Sequence, residues 1–258
     1  MIISTVNAGG IGYFSFHTST IKTFATGLLT YAVYLISRAK NATLTEPVSE
    51  INPTNNILIF DVHGVIFKLS IVEIIKVVLK DPSSLWIITM MLRPMLCIHL
   101  LKSQLNGGVA EEIIFNVANR KPHLSWFVPK AFKLINAQVP IKPTVKILED
   151  LKNKGYKLYI LSNIGEKSLK YIEGMHPEVF TLFDGIYTAN DRDKYIKKPQ
   201  PKIYQNYLDK FNQDPSKLIF IDDKKSNLTA AEKFGMQTIH FTSAKNLFKV
   251  LSKRKAFK

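Results

Sequence analysis

Four short stretches of this 258-residue chain carry residue types that can do chemistry together. Asp61 ends the apolar run Ile57-Leu58-Ile59-Phe60 and is followed by Val62-His63-Gly64-Val65. Ser162-Asn163 follows Lys157–Leu161, and Asp222-Asp223 follows Leu218–Ile221. Lys198 stands in the loop Lys197-Lys198-Pro199-Gln200-Pro201. This set suits phosphoryl transfer. A carboxylate can attack phosphorus and form an acyl phosphate. Two or more carboxylates can hold Mg²⁺, which neutralises phosphate oxygens. A lysine and a hydroxyl can bind the remaining charge as it redistributes in the transition state. Each residue also has a plainer reading. Asp61, Ser162 and the Asp222-Asp223 pair are all N-cap residue types, and Ser162 precedes a helical stretch it could cap.

The elements that must position these residues are legible from periodicity. Ile57–Phe60 is short, fully apolar and β-branched, as a strand covered on both faces requires. From residue 141 onward strands and helices alternate. The helices are Pro143–Lys154, Gly165–Glu173, Lys202–Phe211 and Ser226–Phe234; the strands are Lys157–Leu161, Gly185–Ala189, Leu218–Ile221 and Gln237–Phe241. Such alternation implies right-handed crossovers and a mostly parallel, doubly wound α/β sheet. Ligands of such sheets bind beyond the carboxyl ends of the strands, where all four stretches fall. Residues 68–140 read instead as helices without a convincing strand. Ile71, Ile74, Ile75, Val78 and Leu79 recur at helical spacing, and the apolar stretch 85–101 is interrupted by Arg93-Pro94.

The order and spacing of these motifs resemble the haloacid dehalogenase-like (HAD) hydrolase superfamily over roughly residues 55–245. The motifs are Asp61-Val-His63-Gly64-Val65, Leu161-Ser162-Asn163, Lys198-Pro-Gln-Pro, and Phe220-Ile221-Asp222-Asp223 continuing to Asn227. The resemblance implies a Rossmann-like core at residues 51–67 and 141–258, with a small helical cap of the subfamily I type inserted at 68–140. It implies Asp61 as nucleophile and Mg²⁺ ligand, and the His63 carbonyl as a second ligand. Asp223 would bind the metal directly, with Asp222 nearby. Ser162 and Asn163 would bind the phosphoryl group, Lys198 would bridge nucleophile and phosphate, and Asn227 would orient the fourth motif. The expected activity is Mg²⁺-dependent hydrolysis of a small phosphorylated metabolite through an aspartyl-phosphate. Position 63 departs from the pattern, because phosphatases of this family usually carry a second Asp there as acid and base. His63 has a pKa suited to that task. The substitution also leaves open a non-phosphatase hydrolase, or a catalytically degenerate binding or scaffold protein.

Composition sets the outer bounds. With 46% hydrophobic and 21% charged residues, the chain can bury one substantial core and a smaller inserted unit. Its net charge of +15 attracts anions, or else reflects solvated Lys-rich faces. The basic end, Lys249–Lys258, reads as a helix with a solvated cationic face rather than a specific nucleic-acid site. His99, His123, His176 and His240 show no metal-ligand spacing and read as packing or surface residues. A single cysteine, Cys97, excludes an internal disulfide and fits a cytoplasmic location. Residues 1–50 read as an extension ending in a polar linker. Within it, residues 21–37 are apolar enough to raise membrane association, though short for a span. Oligomeric state is not legible.

Overall fold

The computed structural model of the chain describes residues 4–7, 10–13, 50–81, 128–190 and 194–258, with positions 119, 122 and 126. The chain divides into two units, residues 1–45 and 46–258. In the first, Ser4–Asn7 (β1) pairs antiparallel with Gly10–Tyr13 (β2). This hairpin was not expected; four-residue strands are too short for alternation to stand out. Residues 21–37, like Cys97, His99 and His123, lie outside the described residues. Among the described residues, no helix is long and apolar enough to cross a membrane.

The second unit is built on the strand foreseen at Ile57–Phe60 (β3). The chain then runs through Phe67–Leu69 (β4), and returns at Gln138–Pro140 (β5) after the helices Ile71–Lys80 and Val128–Ile135. Lys157–Gly165 (β6), Gly185–Ala189 (β7), Leu218–Asp222 (β8) and Gln237–His240 (β9) follow, separated by helices. β3 and β6–β9 form one five-stranded sheet in the order β7-β6-β3-β8-β9, every pair parallel. The chain lays down strands to one side of β3, then crosses to the other side with β8. That reversal falls between β3 and β8, and sheets of this kind bind ligands in the crevice at the carboxyl ends of such strands.

Side chains of β3 alternate between two cores, as a pleated strand buried on both faces must. Leu58 and Phe60 pack with Ile147, Leu148, Leu151 and Leu251 on one side. Ile59 packs with Leu161, Tyr204, Tyr207 and Phe220 on the other. The C-terminal helix Ala244–Lys253 seals the first core with Leu247 and Leu251 and leaves Lys245, Lys249 and Lys253 exposed as expected, whereas Arg254, just past it, is buried and donates to Gln237 Oε1.

The 68–140 stretch is bounded by strands, contrary to expectation. β4 and β5 pair antiparallel in the register Phe67↔Pro140 to Leu69↔Gln138. Three residues each, with a proline at the end of one, gave no readable alternation. The expected helix at Ile71–Lys80 is present, capped by Ser70, whose hydroxyl accepts from Glu73 N–H at 3.3 Å. Residues 82–118 lie outside the described residues.

Candidate active site

Asp61 is the first residue past β3, and its N–H still donates to Ile221 O of β8 at 2.9 Å. The sheet therefore fixes its backbone, and the side chain emerges at the crevice. Three donors converge on its Oδ1: Val62 N–H at 2.7 Å, Ser162 Oγ at 2.9 Å and Lys198 Nζ at 3.0 Å. Oδ2 takes none of them. Burial resists ionisation of Asp61, but Lys198, His63 and the Ser162 hydroxyl outweigh it and hold the carboxyl below the usual range.

Lys198 is fully buried, and its three N–H donors find three acceptors: Leu161 O at 2.7 Å, Asp222 Oδ2 at 2.8 Å and Asp61 Oδ1 at 3.0 Å. Burial disfavours its charge, while Asp222 and Asp61 restore it and raise its pKa. Asn163 serves this lysine. Its Oδ1 accepts from Lys198 N–H at 2.7 Å and its Nδ2 donates to Lys198 O at 3.0 Å. The structure thus sets Asn163 on the lysine's backbone. Ser162 lies within β6, and the following helix, Glu166–Met175, starts from Gly165. Its hydroxyl binds Asp61 instead of capping that helix.

Asp222 ends β8 wholly buried and saturated. Lys224 N–H donates to Oδ1 at 2.7 Å, Lys198 holds Oδ2, and Asn227 Nδ2 is 3.0 Å from both oxygens. Burial drives its pKa upward against Lys198, so Asp61 is the more readily ionised of the two carboxylates sharing that ammonium. Asn227 is itself held by Tyr204, whose hydroxyl donates to Asn227 O at 2.8 Å.

Asp61, Asp222 and Asp223 each offer a carboxylate oxygen within 4.8 Å of the other two. Three hard oxygen donors at that spacing suit Mg²⁺. Gly64 makes room for this cluster. Its φ is +82°, and a Cβ there would lie 2.5 Å from Asp223 Oδ2. The residues present therefore fit a divalent cation.

His63 keeps exposed surface, yet protein crowds its ring. That crowding, with Lys224 and Lys198, lowers its pKa against the pull of Asp61. Its Nε2 lies 2.7 Å from Gln138 Nε2 on β5. Sequence reasoning missed Gln138, because no local signal connects positions 75 residues apart. His240, read as a packing or surface residue, packs its Nε2 3.2 Å from Asp223 O. His176 packs against Phe67 and pairs with Glu178, as a surface histidine should.

A parallel sheet with a reversal at β3, a strand-end carboxylate held by serine and lysine, and two more carboxylates on the neighbouring strand define a hydrolase-type α/β site. Comparison with known proteins agrees. Residues 108–241 match the haloacid dehalogenase-like hydrolase family, and the chain belongs to it. The matched stretch contains Ser162, Lys198 and the Asp222-Asp223 pair; Asp61 precedes it.

Sesquiterpene phosphatase astK of Aspergillus oryzae is 32% identical over 98 residues, 38% of this chain and 48% of that protein. (S)-2-haloacid dehalogenase 4A of Burkholderia cepacia is 31% identical over 99 residues, 38% of this chain and 42% of that protein. Each match thus spans less than half of the relative. Among solved structures, a HAD family enzyme of Bacteroides thetaiotaomicron superposes with a TM-score of 0.56 at 21% identity, covering 75% of this chain and 98% of that one. Another structure of that enzyme, in complex with magnesium and inorganic phosphate, has a TM-score of 0.50 at 20% identity, covering 72% and 93%.

Proposed function

We propose that this protein hydrolyses a small phosphomonoester through an aspartyl-phosphate on Asp61, with Mg²⁺ held by Asp61, Asp223 and the His63 carbonyl and with Asp222 behind them. The observation that carries this reading is the convergence of Val62 N–H, Ser162 and Lys198 on Asp61 Oδ1, which orients the carboxylate and keeps it ionised. The likeness to a phosphatase and to a magnesium- and phosphate-bound fold relative supports it.

In the first half-reaction an Asp61 oxygen bonds to phosphorus, and the bond from phosphorus to the leaving oxygen breaks. On substrate binding, Ser162 and Lys198 would turn toward the phosphoryl oxygens the donors that they now give to Asp61 Oδ1, while negative charge shifts toward the leaving group. In the second, water adds to phosphorus, inorganic phosphate departs and the Asp61 carboxylate is regenerated. A bound Mg²⁺ would neutralise carboxylate and phosphate charge and so let the two anions approach. The 68–140 segment would serve as a cap that shapes the substrate pocket.

The test is phosphate release from a panel of phosphorylated metabolites with and without Mg²⁺. Wild type should turn over at least one of them, and Asp61→Asn should lose about a thousandfold or more of that rate. Wild-type turnover by Asp61→Asn would overturn the mechanism.

The dehalogenase likeness and the histidine at position 63 favour a second reading, in which Asp61 attacks carbon of a haloacid and halide departs. Halide release without phosphate release would select it. Neither product from any substrate would favour a binding or scaffold role for the fold.

A further inference from the structure

The helices Val128–Ile135 and Glu166–Met175 enclose a groove of about 500 Å³ that none of the phosphoryl-transfer residues lines. Val128, Pro129 and Phe132 face it from the first helix, and Lys167, Lys170 and Tyr171 from the second. Phe132 and Tyr171 meet edge to face, with ring centroids 5.6 Å apart. Tyr171 is still 37% exposed, so the aromatic floor has apolar area left to cover. This size and this lining, largely apolar with a few polar groups, are those of a small-molecule pocket. Both walls start beside the active site. Ser162, which binds Asp61, precedes Lys167 by five residues, and five residues span at most about 18 Å. On the other wall Asn136, just past the first helix, donates to Ser168 Oγ at 3.3 Å, and Gln138, two residues on, reaches the His63 ring. Leu69 stands opposite Gln138 in the β4–β5 register, on the same face of the ribbon, and is 53% exposed. The rim between site and groove therefore carries an apolar edge.

We propose that this groove holds the leaving group of the substrate, and that the substrate is the phosphate monoester of an extended hydrophobic alcohol. This rests on the Asp61 phosphoryl-transfer reading and names its substrate class. Charge complementarity supports the choice of occupant. Lys167 and Lys170 are exposed along one wall, and the partner of Lys170, Glu166 at 3.3 Å, forms only a surface ion pair with it. Lysine stems cover apolar surface while their ammoniums stay in water. The floor thus takes carbon, and the ammonium rim draws in a ligand that arrives with a negative charge. A phosphorylated hydrophobic alcohol has both properties. Its phosphate goes to Asp61 and its carbon body lies between the helices. When the Asp61–phosphorus bond forms, the phosphorus–oxygen ester bond breaks. The alcohol oxygen leaves with the bonding pair and takes a proton, which the water of the second half-reaction returns to solvent.

Two experiments on the full-length chain test this. The first compares alkyl phosphates from ethyl to decyl, with Mg²⁺ and below micelle-forming concentrations. Wild-type kcat/KM should rise about twofold per methylene, as partial burial of each methylene supplies, and by more than about a hundredfold over the series. Phe132→Asp sets a charge in the floor and should cut the decyl-to-ethyl ratio about tenfold or more, while Phe132→Leu keeps most of it. Tyr171→Ser, at an exposed position, should cut the same ratio about threefold and carries the test if Phe132→Asp does not fold. A wild-type ratio near one, or a ratio that these variants leave intact, overturns the proposal. The second experiment needs no turnover. Decylphosphonate, whose phosphorus–carbon bond resists hydrolysis, should bind wild type about thirtyfold or more tighter than ethylphosphonate by calorimetry, and Phe132→Asp should remove the difference. If no ester is hydrolysed while this preference holds, the phosphatase reading falls and the site for an apolar anion survives it. If esters turn over regardless of chain length, the groove assignment falls and the phosphatase reading stands. A dimer in sedimentation that Phe132→Asp dissociates would make the groove a contact between copies and likewise overturn the proposal.

Discussion

At the residue scale the site is a charge balance around one ammonium. Lys198 touches Asp61 and Asp222, and all three are buried. Lys198→Met should therefore destabilise the fold by about 3–5 kcal/mol in urea unfolding, because it leaves two carboxylates uncompensated. Asp61→Asn should cost far less stability than activity, since Asp222 still pairs the lysine. Gly64 makes a different demand. Its positive φ and the 2.5 Å approach of Asp223 Oδ2 to a Cβ position mean that Gly64→Ala must strain the backbone and displace a carboxylate. The expected outcome is a loss of about 1–3 kcal/mol and a higher Mg²⁺ concentration for half-maximal activity. That Asp61, Ser162, Lys198 and Asp222-Asp223 come together was anticipated in the sequence, because each stands at or near an expected strand end or beside a proline, in an order that resembles the family's. The service that Asn163 gives to the Lys198 backbone was not, since it joins β6 to a loop 35 residues away.

At the scale of elements, what matters is how helices and strand ends are tied together. Asp184, just before β7, accepts from Lys152 Nζ at 2.7 Å and from Leu158 N–H at 2.9 Å. It thereby joins the Lys142–Asn153 helix to β6. Partial burial resists its ionisation, but Lys152 and Leu158 N–H outweigh that and depress its pKa below the ordinary 3.8. The unfolded chain then binds the proton more readily than the folded one. The stabilisation is complete above the unfolded pKa and disappears as pH falls through the folded value. Asp184→Asn should thus lower the melting temperature near pH 7, and the gap to wild type should close as pH falls below about 3.8. Tyr204 links the Pro201–Phe211 helix to Asn227 and so to Asp222. Tyr204→Phe should cost about 1 kcal/mol of stability by urea unfolding. The four helices expected between residues 143 and 234 match to within two residues, because period 3.6 is a strong signal over eight or more residues. By contrast, β6 runs four residues past its expected end at Leu161, and the C-terminal helix is Ala244–Lys253 rather than Lys249–Lys258. The β4–β5 ribbon, three residues a side, was not foreseen.

For the whole molecule, the order β7-β6-β3-β8-β9 decides where chemistry can occur. It sets β3 beside β8, and so brings Asp61 within reach of Asp222 and Asp223 across 161 positions of sequence. Asp61, Asp222 and Asp223 bring carboxylate oxygens within 4.8 Å of one another, a spacing that suits Mg²⁺. Mg²⁺ should therefore raise the melting temperature of wild type by a few degrees at millimolar concentration, as any ligand selective for the folded state does. Asp223→Asn should abolish most of that shift in the same thermal scan, whatever the substrate turns out to be.

The sequence by itself determined the α/β class, the four motifs and the side chains at their centre. Those depend on local pattern: apolar runs long enough to be strands, polar residues at their ends, and an order of motifs that survives without knowledge of contacts. Only the tertiary structure decided which oxygen of Asp61 is held, that Asp222 is saturated by Lys198, Lys224 N–H and Asn227, and that Gln138 reaches His63. These depend on distances between segments far apart in the chain, fixed by sheet order and by the pairing of two short strands, and no periodicity along the chain encodes them.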